Sequence, residues 1–214
     1  MSGLGAVTEN AAFGAVPVER SEKVRDNREH AYTRSSTMTA EQSNRRAVGP
    51  PVIVAYNSEW PARFQAEAAR IRVALSDVAV RIEHVGSTAV PGLAAKDTID
   101  IQISVPTMDR ILYEVPLEQL GYTSVWDKAT VEHHFFARPY TTRPRLFNVH
   151  VCPVGSEWER RHIAFRDYLR SNVSAAQRYA AFKKEIAPKF SDTLEYAEGK
   201  EDFIREMERD AGII

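Results

Sequence analysis

A run of small residues followed by an acidic residue has the residue types of a phosphate and metal site. In the sequence EHVGSTAVPGLAAKDTIDIQI, the residues Gly86, Ser87 and Thr88 follow a run in which apolar and polar residues alternate, and Asp100 lies inside the next such run. Glycine and serine after a strand let successive backbone N–H groups point at a phosphate. A carboxylate on the following strand can hold a divalent cation against that phosphate. Because aspartate is disfavoured in strands and costly to bury alone, its position favours a site over a plain turn.

Histidines are the second group of candidate ligands. His84, His133, His134 and His150 all fall on alternating runs that are typical of strands. One or two imidazoles with Asp100 would suit manganese or zinc better than magnesium, which prefers oxygen ligands. We therefore expect Asp100, His150 and His84 as metal ligands. The alternative for each histidine is a half-buried side chain satisfied by hydrogen bonds.

Two basic residues are the best candidates for contacts with phosphate oxygens. Lys96 ends the small-residue loop, and Arg138 lies on a later strand-like run. Most charged residues on helices are solvated surface, so Arg166, Lys183 and Lys200 are expected to face water. The predicted phosphate-binding set is Gly86, Ser87, Thr88, Lys96 and Arg138.

Composition limits the classes of protein to which the chain can belong. The 214 residues carry a formal net charge of -1, which gives no electrostatic argument for nucleic acid or a membrane surface. No apolar run approaches the ~18 residues of a membrane span. The single cysteine, Cys152, excludes an internal disulfide and favours a reducing, cytoplasmic location. The expected partner is a small phosphate-containing ligand, with no nucleic acid and no membrane.

The elements that must position these residues begin after residue 50. Residues 1–50 mix charges with Ser, Thr and Asn without an apolar period, which predicts a disordered tail before a folded domain at 51–214. Trp60, Phe64, Ala68, Ile71 and Leu75 have helical spacing. Strands are predicted over 77–85, 98–105, 122–126, 132–138 and 145–154, and helices follow. This order predicts an α+β domain, a mixed β-sheet flanked by helices.

A longer pattern resembles the GrpB-like family. It comprises Tyr56, Trp60 and Phe64, then IEHVGSTAVPGLAAK, IDI, VHVCPVGS, FRDYLR and YAEGKEDFI, and it extends over about residues 52–212. Gly86-Ser87 followed by Asp100-Ile101 also resembles the opening of the nucleotidyltransferase superfamily signature. The resemblance implies a nucleotidyltransferase-like fold. It also implies a nucleotide or a coenzyme A-like ligand, since some members are fused to dephospho-CoA kinase.

The chain departs from the superfamily pattern at the second carboxylate and at the third, for which a later strand offers Asn148 and His150 instead. Nucleotidyl transfer in that superfamily uses two carboxylates two residues apart on one strand face to clamp two metal ions. Here the second position is Gln102. The first hypothesis remains a metal-dependent nucleotidyl or phosphoryl transferase, with Asp100 and His150 catalytic and manganese, zinc or magnesium as cofactor. The second is a non-catalytic nucleotide- or coenzyme A-binding accessory module. The third is a silent scaffold in which His84, Asp100 and His150 form a buried polar network.

Overall fold

A computed structural model describes residues 50–125, 129–140 and 145–214 of the chain. The tail predicted over 1–50 lies outside the described residues, except for Pro50. The helices are α1 (Trp60–Leu75), α2 (Glu114–Gln119), α3 (Glu157–Ser171), α4 (Val173–Ile186), α5 (Thr193–Glu198) and α6 (Glu201–Asp210). The strands are β1 (Arg81–Val85), β2 (Ile99–Val105), β3 (Thr123–Ser124), β4 (His134–Arg138) and β5 (Phe147–Pro153).

The long helices begin where the sequence provides caps. Pro61 lies in the first turn of α1, where a missing N–H costs least. Ser156 caps α3 by accepting a hydrogen bond of 3.1 Å from the Glu159 N–H. Asn172 caps α4 by accepting one of 2.9 Å from the Ala175 N–H. These side chains satisfy backbone donors that the first helical turn leaves without partners.

The five strands form one mixed sheet in the order β1-β2-β5-β4-β3. β2 pairs with β5 in parallel, and the other neighbours are antiparallel. The parallel register places Asp100 beside Asn148 and Gln102 beside His150. The chain therefore brings two polar segments, 46 or more residues apart in sequence, onto adjacent central strands.

The two faces of this sheet have opposite character. The core face carries the alternate apolar residues of the central strands and packs against α1 and α2; it includes Ile99, Ile101, Ile103, Phe147, Val149 and Val151. The pocket face carries the intervening residues, Asp100, Gln102, Ser104, Asn148, His150 and Cys152. Helix α3 contacts the pocket face, and α4 and α6 pack against α3. Side-chain alternation along a strand accounts for this division.

The prediction of an α+β domain with a mixed sheet flanked by helices is confirmed. The first strand is shorter than predicted because residues 76–78 form a 3-10 turn. Helix α2 begins at Glu114, so Pro116 lies in its first turn, where the missing N–H is tolerated. Helix α5 was not predicted. Among the described residues no helix has the length and hydropathy that crossing a membrane requires.

Candidate functional site

A cavity of about 300 Å³ lies on the pocket face, at the end of the sheet where β2 and β5 begin. Its wall combines the loop after β1, the first residues of β2 and β5, and the segment from α4 to the start of α6. Lys183 thus joins Ser87 and Asp100 in one wall although it is distant from both in sequence. The cavity is a product of the tertiary fold.

Asp100 lies directly against the small-residue loop. A methyl group at Gly86 would be 2.5 Å from Asp100 Oδ2. Asp100 Oδ1 accepts a hydrogen bond of 2.8 Å from the Asn148 amide and lies 3.8 Å from His150 Nε2. Burial alone would raise the pKa of this carboxyl group. The nearby His150 imidazole, the hydrogen bond from Asn148 and the charge of Lys96 together outweigh burial, so the pKa is lower than its ordinary value.

His150 belongs to a stack of aromatic rings at one side of the cavity. Its Nδ1 lies 2.9 Å from His133 Nε2, within hydrogen-bond distance. The rings of His133 and His150 stack on Trp158, with centroids 4.5 Å and 5.3 Å away. His162 also stacks on Trp158 and donates a hydrogen bond of 2.7 Å from Nδ1 to the Trp158 carbonyl. Burial lowers the pKa of His162 to about 4, so this imidazole is neutral at physiological pH.

Lysine side chains from three segments reach the cavity. Lys183 donates hydrogen bonds of 2.9 Å to Ser87 Oγ and 2.5 Å to the Ala94 carbonyl. The Lys200 ammonium lies 4.8 Å from the ring centroid of Tyr196, and that of Lys96 lies 5.7 Å from it. Burial is the main cause that lowers the pKa of both Lys183, to about 7, and Lys200. The lysines are therefore held in a partly dehydrated wall.

The charge balance of the cavity favours an anion. Its wall includes the basic side chains Lys96, Arg145, Lys183 and Lys200 and the carboxylates Asp100 and Asp192. The chain as a whole has a formal net charge of -1. Basic residues are thus concentrated in this cavity beyond what the overall composition provides. Such a concentration raises the local density of anionic ligands.

Lys183 differs from the other buried Asp, Glu, Lys and Arg side chains of the described residues. Each of the others has an opposite charge within ion-pair distance: Glu67 with Arg138, Glu114 with Arg110, Glu159 with Arg81, Arg166 with Glu83, and Glu208 with Arg161. Lys183 is held by a hydroxyl and a carbonyl instead. Dipoles compensate a buried charge less well than a carboxylate does.

The small-residue loop contributes its residues unequally. Ser87 is partly exposed and its hydroxyl contacts Lys183. Thr88 lines the cavity, but its side chain is buried and its hydroxyl contacts His84 Nε2 at 3.0 Å and the Thr98 carbonyl at 3.3 Å. Gly86 allows the approach of Asp100. Of the Gly86, Ser87 and Thr88 side chains, the one that offers a polar group to a ligand is therefore that of Ser87.

The structure does not bring His84 to the predicted metal site. His84 stands opposite Ile101 in the β1–β2 register, so it faces the core side of the sheet. Its ring stacks on Phe64 with centroids 4.7 Å apart. Burial, the largest cause, lowers the pKa of His84 to about 4. It is a core histidine satisfied by a hydrogen bond, which is the alternative that the sequence left open.

Arg138 also lies on the core face, away from the predicted phosphate site. Its guanidinium donates a hydrogen bond of 2.7 Å to Glu67 and one of 3.1 Å to the Leu120 carbonyl. The same group lies 5.1 Å from the Tyr122 ring centroid and 4.8 Å from that of Phe147. Strand parity explains the difference, because Arg138 alternates with Ala137 and shares the side of Phe136.

The donor set does not fit a metal ion held by the protein alone. Among the described residues no group of three His, Cys, Asp or Glu side chains has the arrangement of a metal site. Asp100 and His150 come together, but His150 Nδ1 already contacts His133. Gln102 is fully buried, and neither polar atom of its side chain has a hydrogen-bond partner within the described part of the chain. It supplies no second carboxylate.

Sequence reasoning missed Lys183 and Lys200 as cavity residues, since helical charges were expected to face water. One signal was present for Lys183. It follows Ala175 and Tyr179 at intervals of four residues and precedes Ile186 by three, which is the spacing of a buried helical stripe. Lys200 has no such signal, because it lies at the junction before α6.

Comparisons with known proteins agree with the family resemblance. The family model described as GrpB protein matches residues 50–210. A UPF0157 protein of Halalkalibacterium halodurans is 37% identical over 158 residues, which cover 72% of this chain and 79% of that protein. A crystal structure of the conserved protein GrpB from Enterococcus faecalis matches with a TM-score of 0.67 at 30% identity, over 75% of this chain and 96% of that one.

Some relatives are longer and carry an enzyme name. A dephospho-CoA kinase of Mycolicibacterium paratuberculosis is 30% identical over 201 residues, covering 79% of this chain and 48% of the kinase. The chain therefore spans about half the length of that relative. Among further curated relatives, the covered share of their length ranges from 40% to 94%.

Proposed function

The chain belongs to the GrpB family, and we propose that it binds a small phosphate-bearing molecule of the nucleotide or coenzyme A class in the cavity of the pocket face. The observation that carries this proposal is the convergence of Lys96, Lys183 and Lys200 on one cavity in a chain of net charge -1. Convergent cations in a partly dehydrated wall are suited to phosphate oxygens.

The proposal assigns the phosphate to the lysine side of the cavity. Hydrogen bonds to charged groups are each worth about 1.5–3 kcal/mol, so two ammonium groups and the Ser87 hydroxyl together contribute roughly 4.5–9 kcal/mol to phosphate binding before the costs of association and ordering. Asp100 and His150, predicted from the sequence as catalytic, serve here as polar contacts. The carboxylate accepts a hydrogen bond from a ligand hydroxyl, and the imidazole lies beside it.

The names of the longer relatives support the choice of ligand class. Two relatives named dephospho-CoA kinase share the region that this chain matches. Dephospho-CoA, coenzyme A and adenine nucleotides are therefore the first compounds to test. Metal-dependent nucleotidyl transfer forms no part of the proposal, because the donors around Asp100 do not fit a resident metal. A cytoplasmic location, favoured by the single cysteine, belongs to the same proposal.

Calorimetric titration in EDTA tests the proposal with pyrophosphate, ADP, dephospho-CoA and, as the phosphate-free control, adenosine. We expect the phosphate compounds to bind and adenosine to bind at least tenfold more weakly. Lys200→Met should weaken pyrophosphate binding about tenfold or more. Lys184 lies next to Lys183 on helix α4 but is exposed, so Lys184→Met should leave the affinity unchanged. Absence of binding by every phosphate compound, or equal affinity in both variants, contradicts the proposal.

A further inference from the structure

Ser87 and Lys183 form a pair whose geometry has a use beyond binding. The Lys183 Nζ atom lies 2.9 Å from Ser87 Oγ, and both residues line the cavity. Lys183 is 2% exposed, whereas Ser87 is partly exposed. The amine is therefore shielded from water while the hydroxyl can meet a ligand. This is the arrangement of a nucleophile with an adjacent base.

We propose that Ser87 is a nucleophile for phosphoryl transfer and that Lys183 is its general base. This inference rests on the proposed function for one point only, that the electrophile carries a phosphate group. It adds a covalent step that binding alone does not require. Neither residue was predicted from the sequence for such a role.

The backbone presents the Ser87 hydroxyl to the cavity. Strand β1 ends at Val85, and Gly86 then adopts φ 70° and ψ -173°, a region that only glycine adopts readily. Ser87 begins a 3-10 turn directly after this bend. The chain turns sharply out of the sheet at Gly86, and the Ser87 side chain directly after this turn lies in the cavity wall, where a ligand can approach its hydroxyl.

The surroundings of Lys183 favour the neutral amine that a base must be. Burial, followed by the charges of Lys200 and Lys96, lowers its pKa to about 7, against the opposing effect of Asp100. The Tyr179 ring face, 4.5 Å from Nζ, also favours the charged form but does not outweigh burial. At slightly alkaline pH the amine lone pair can accept the Ser87 proton across the same short contact. General bases act best with pKa values near the working pH.

The proposed step conserves atoms and charge. Ser87 Oγ attacks the terminal phosphorus of a phosphoanhydride, an Oγ–P bond forms, and the P–O bond to the leaving phosphate breaks. The Ser87 proton moves to Lys183 Nζ. Lys96 and Lys200 lie in the same cavity and can neutralise the oxygens of the transferred group and the leaving phosphate. Water can later release the phosphoryl group, with the Lys183 ammonium returning its proton to Ser87.

A fluorophosphonate ester tests the nucleophile without requiring phosphate binding, because serine displaces fluoride from its phosphorus. We expect intact-protein mass spectrometry to show one adduct and peptide mapping to place it on Ser87. The labelling rate should rise through a half-point near pH 7, the pKa of Lys183. Ser87→Ala should abolish labelling. Lys183→Met should slow it about 100-fold, while Lys184→Met and Ser191→Ala should label as the wild type does.

A second variant distinguishes the role of Lys183 as a base from its role as a positive charge. Lys183→Arg keeps a cation beside Ser87 but cannot accept a proton at neutral pH. It should bind pyrophosphate yet fail to label, and circular dichroism checks that it and Lys183→Met are folded. Labelling that is absent from Ser87 in the wild type, or unaffected in folded Lys183→Met, overturns the inference. If pyrophosphate binds but Ser87 is not labelled, the nucleophile inference is wrong and the proposed function stands. If Ser87 is labelled but pyrophosphate does not bind, the proposed function is wrong and the nucleophile inference stands.

Discussion

Glu67, beneath the core face, and Lys183, beside the cavity, are buried to the same extent, with 3% and 2% of their surfaces exposed. Glu67 accepts hydrogen bonds from Arg70, Arg138 and the Tyr122 hydroxyl at 2.7–3.1 Å. Lys183 has a hydroxyl and a carbonyl as partners. One charge is enclosed by opposite charges, and the other is surrounded by dipoles.

This difference separates a structural charge from a chemically available one. A buried carboxylate with two guanidinium partners fixes helix α1 to β4. A buried amine without a carboxylate has a lowered pKa and can exchange a proton or receive an anion. The comparison therefore indicates which buried polar residues serve the fold and which are open to a ligand. Four predictions test it.

The largest expected effect is that of Arg138→Leu on stability. Removing this guanidinium leaves Glu67 buried with Arg70 as its remaining basic partner, and breaking a buried pair costs about 3–5 kcal/mol. Urea unfolding should show a loss near the lower end of that range. The exposed pair of Lys189 with Glu185 gives the control, since Lys189→Met should cost under about 1 kcal/mol. Pyrophosphate affinity should not change; a loss of affinity would return Arg138 to the ligand site that the sequence predicted.

The second prediction concerns Lys183→Met and pH. In the folded chain the pKa of Lys183 is about 7, below its ordinary value of 10.5, so the unfolded state binds more protons between these values. The stability contributed by this residue therefore rises with pH across that window and is constant below it. The difference in unfolding free energy, wild type minus Lys183→Met, should increase by roughly 3 kcal/mol from pH 7 to pH 10.

Lys184→Met serves as the control for this titration, because Lys184 is exposed on the same helix. Its difference from the wild type should not vary over the same pH range. A flat difference for Lys183→Met as well would show that the buried amine titrates normally. In that case the burial of Lys183 would not make its amine available for proton exchange, and the contrast between the two sites would disappear.

The fold was predictable from the sequence to a greater extent than the cavity. Period-two alternation in 98–105 and 145–154 identified the central strands, and the spacing from Trp60 to Leu75 identified α1. Alternation also assigns residues to faces, but which face meets a ligand depends on how the helices pack. Arg138 was therefore assigned correctly to a strand, but the structure places it on the core face, away from the cavity.

The cavity depends on long-range contacts that a single sequence does not encode locally. Asp100 and the Gly86-Ser87 loop lie close in sequence, and the structure brings them together. Lys183 joins them from 96 residues away through the packing of α4. The lowered pKa of that lysine arises mainly from its burial, which its helical spacing with Ala175, Tyr179 and Ile186 signals, whereas its contact with Ser87 depends on how α4 packs.

The third prediction tests the close approach at Gly86. Gly86→Ala places a methyl group 2.5 Å from Asp100 Oδ2, and Gly155→Ala, at a similar positive φ, meets no atom within 4 Å. Both should lose about 1–3 kcal/mol from the backbone conformation, and Gly86→Ala should lose at least about 1 kcal/mol more from crowding. Only Gly86→Ala should weaken pyrophosphate binding. A double-mutant cycle with Asp100→Ala should recover most of the extra loss; full additivity would show that the two groups do not meet.

The smallest expected effect is that of a divalent metal alone. Four basic side chains line the cavity with two carboxylates, and Asp100 meets a single imidazole near enough to share a metal. A dication would therefore meet net repulsion and too few donors. We expect manganese, zinc and magnesium, each without ligand, to leave the melting temperature unchanged within error in the wild type, Asp100→Ala and His150→Ala. Stabilisation by manganese that disappears in Asp100→Ala and falls in His150→Ala would instead support the metal site expected from the sequence. It would also show that a charge on the pocket face, Asp100, is compensated by an opposite charge, as Glu67 is beneath the core face.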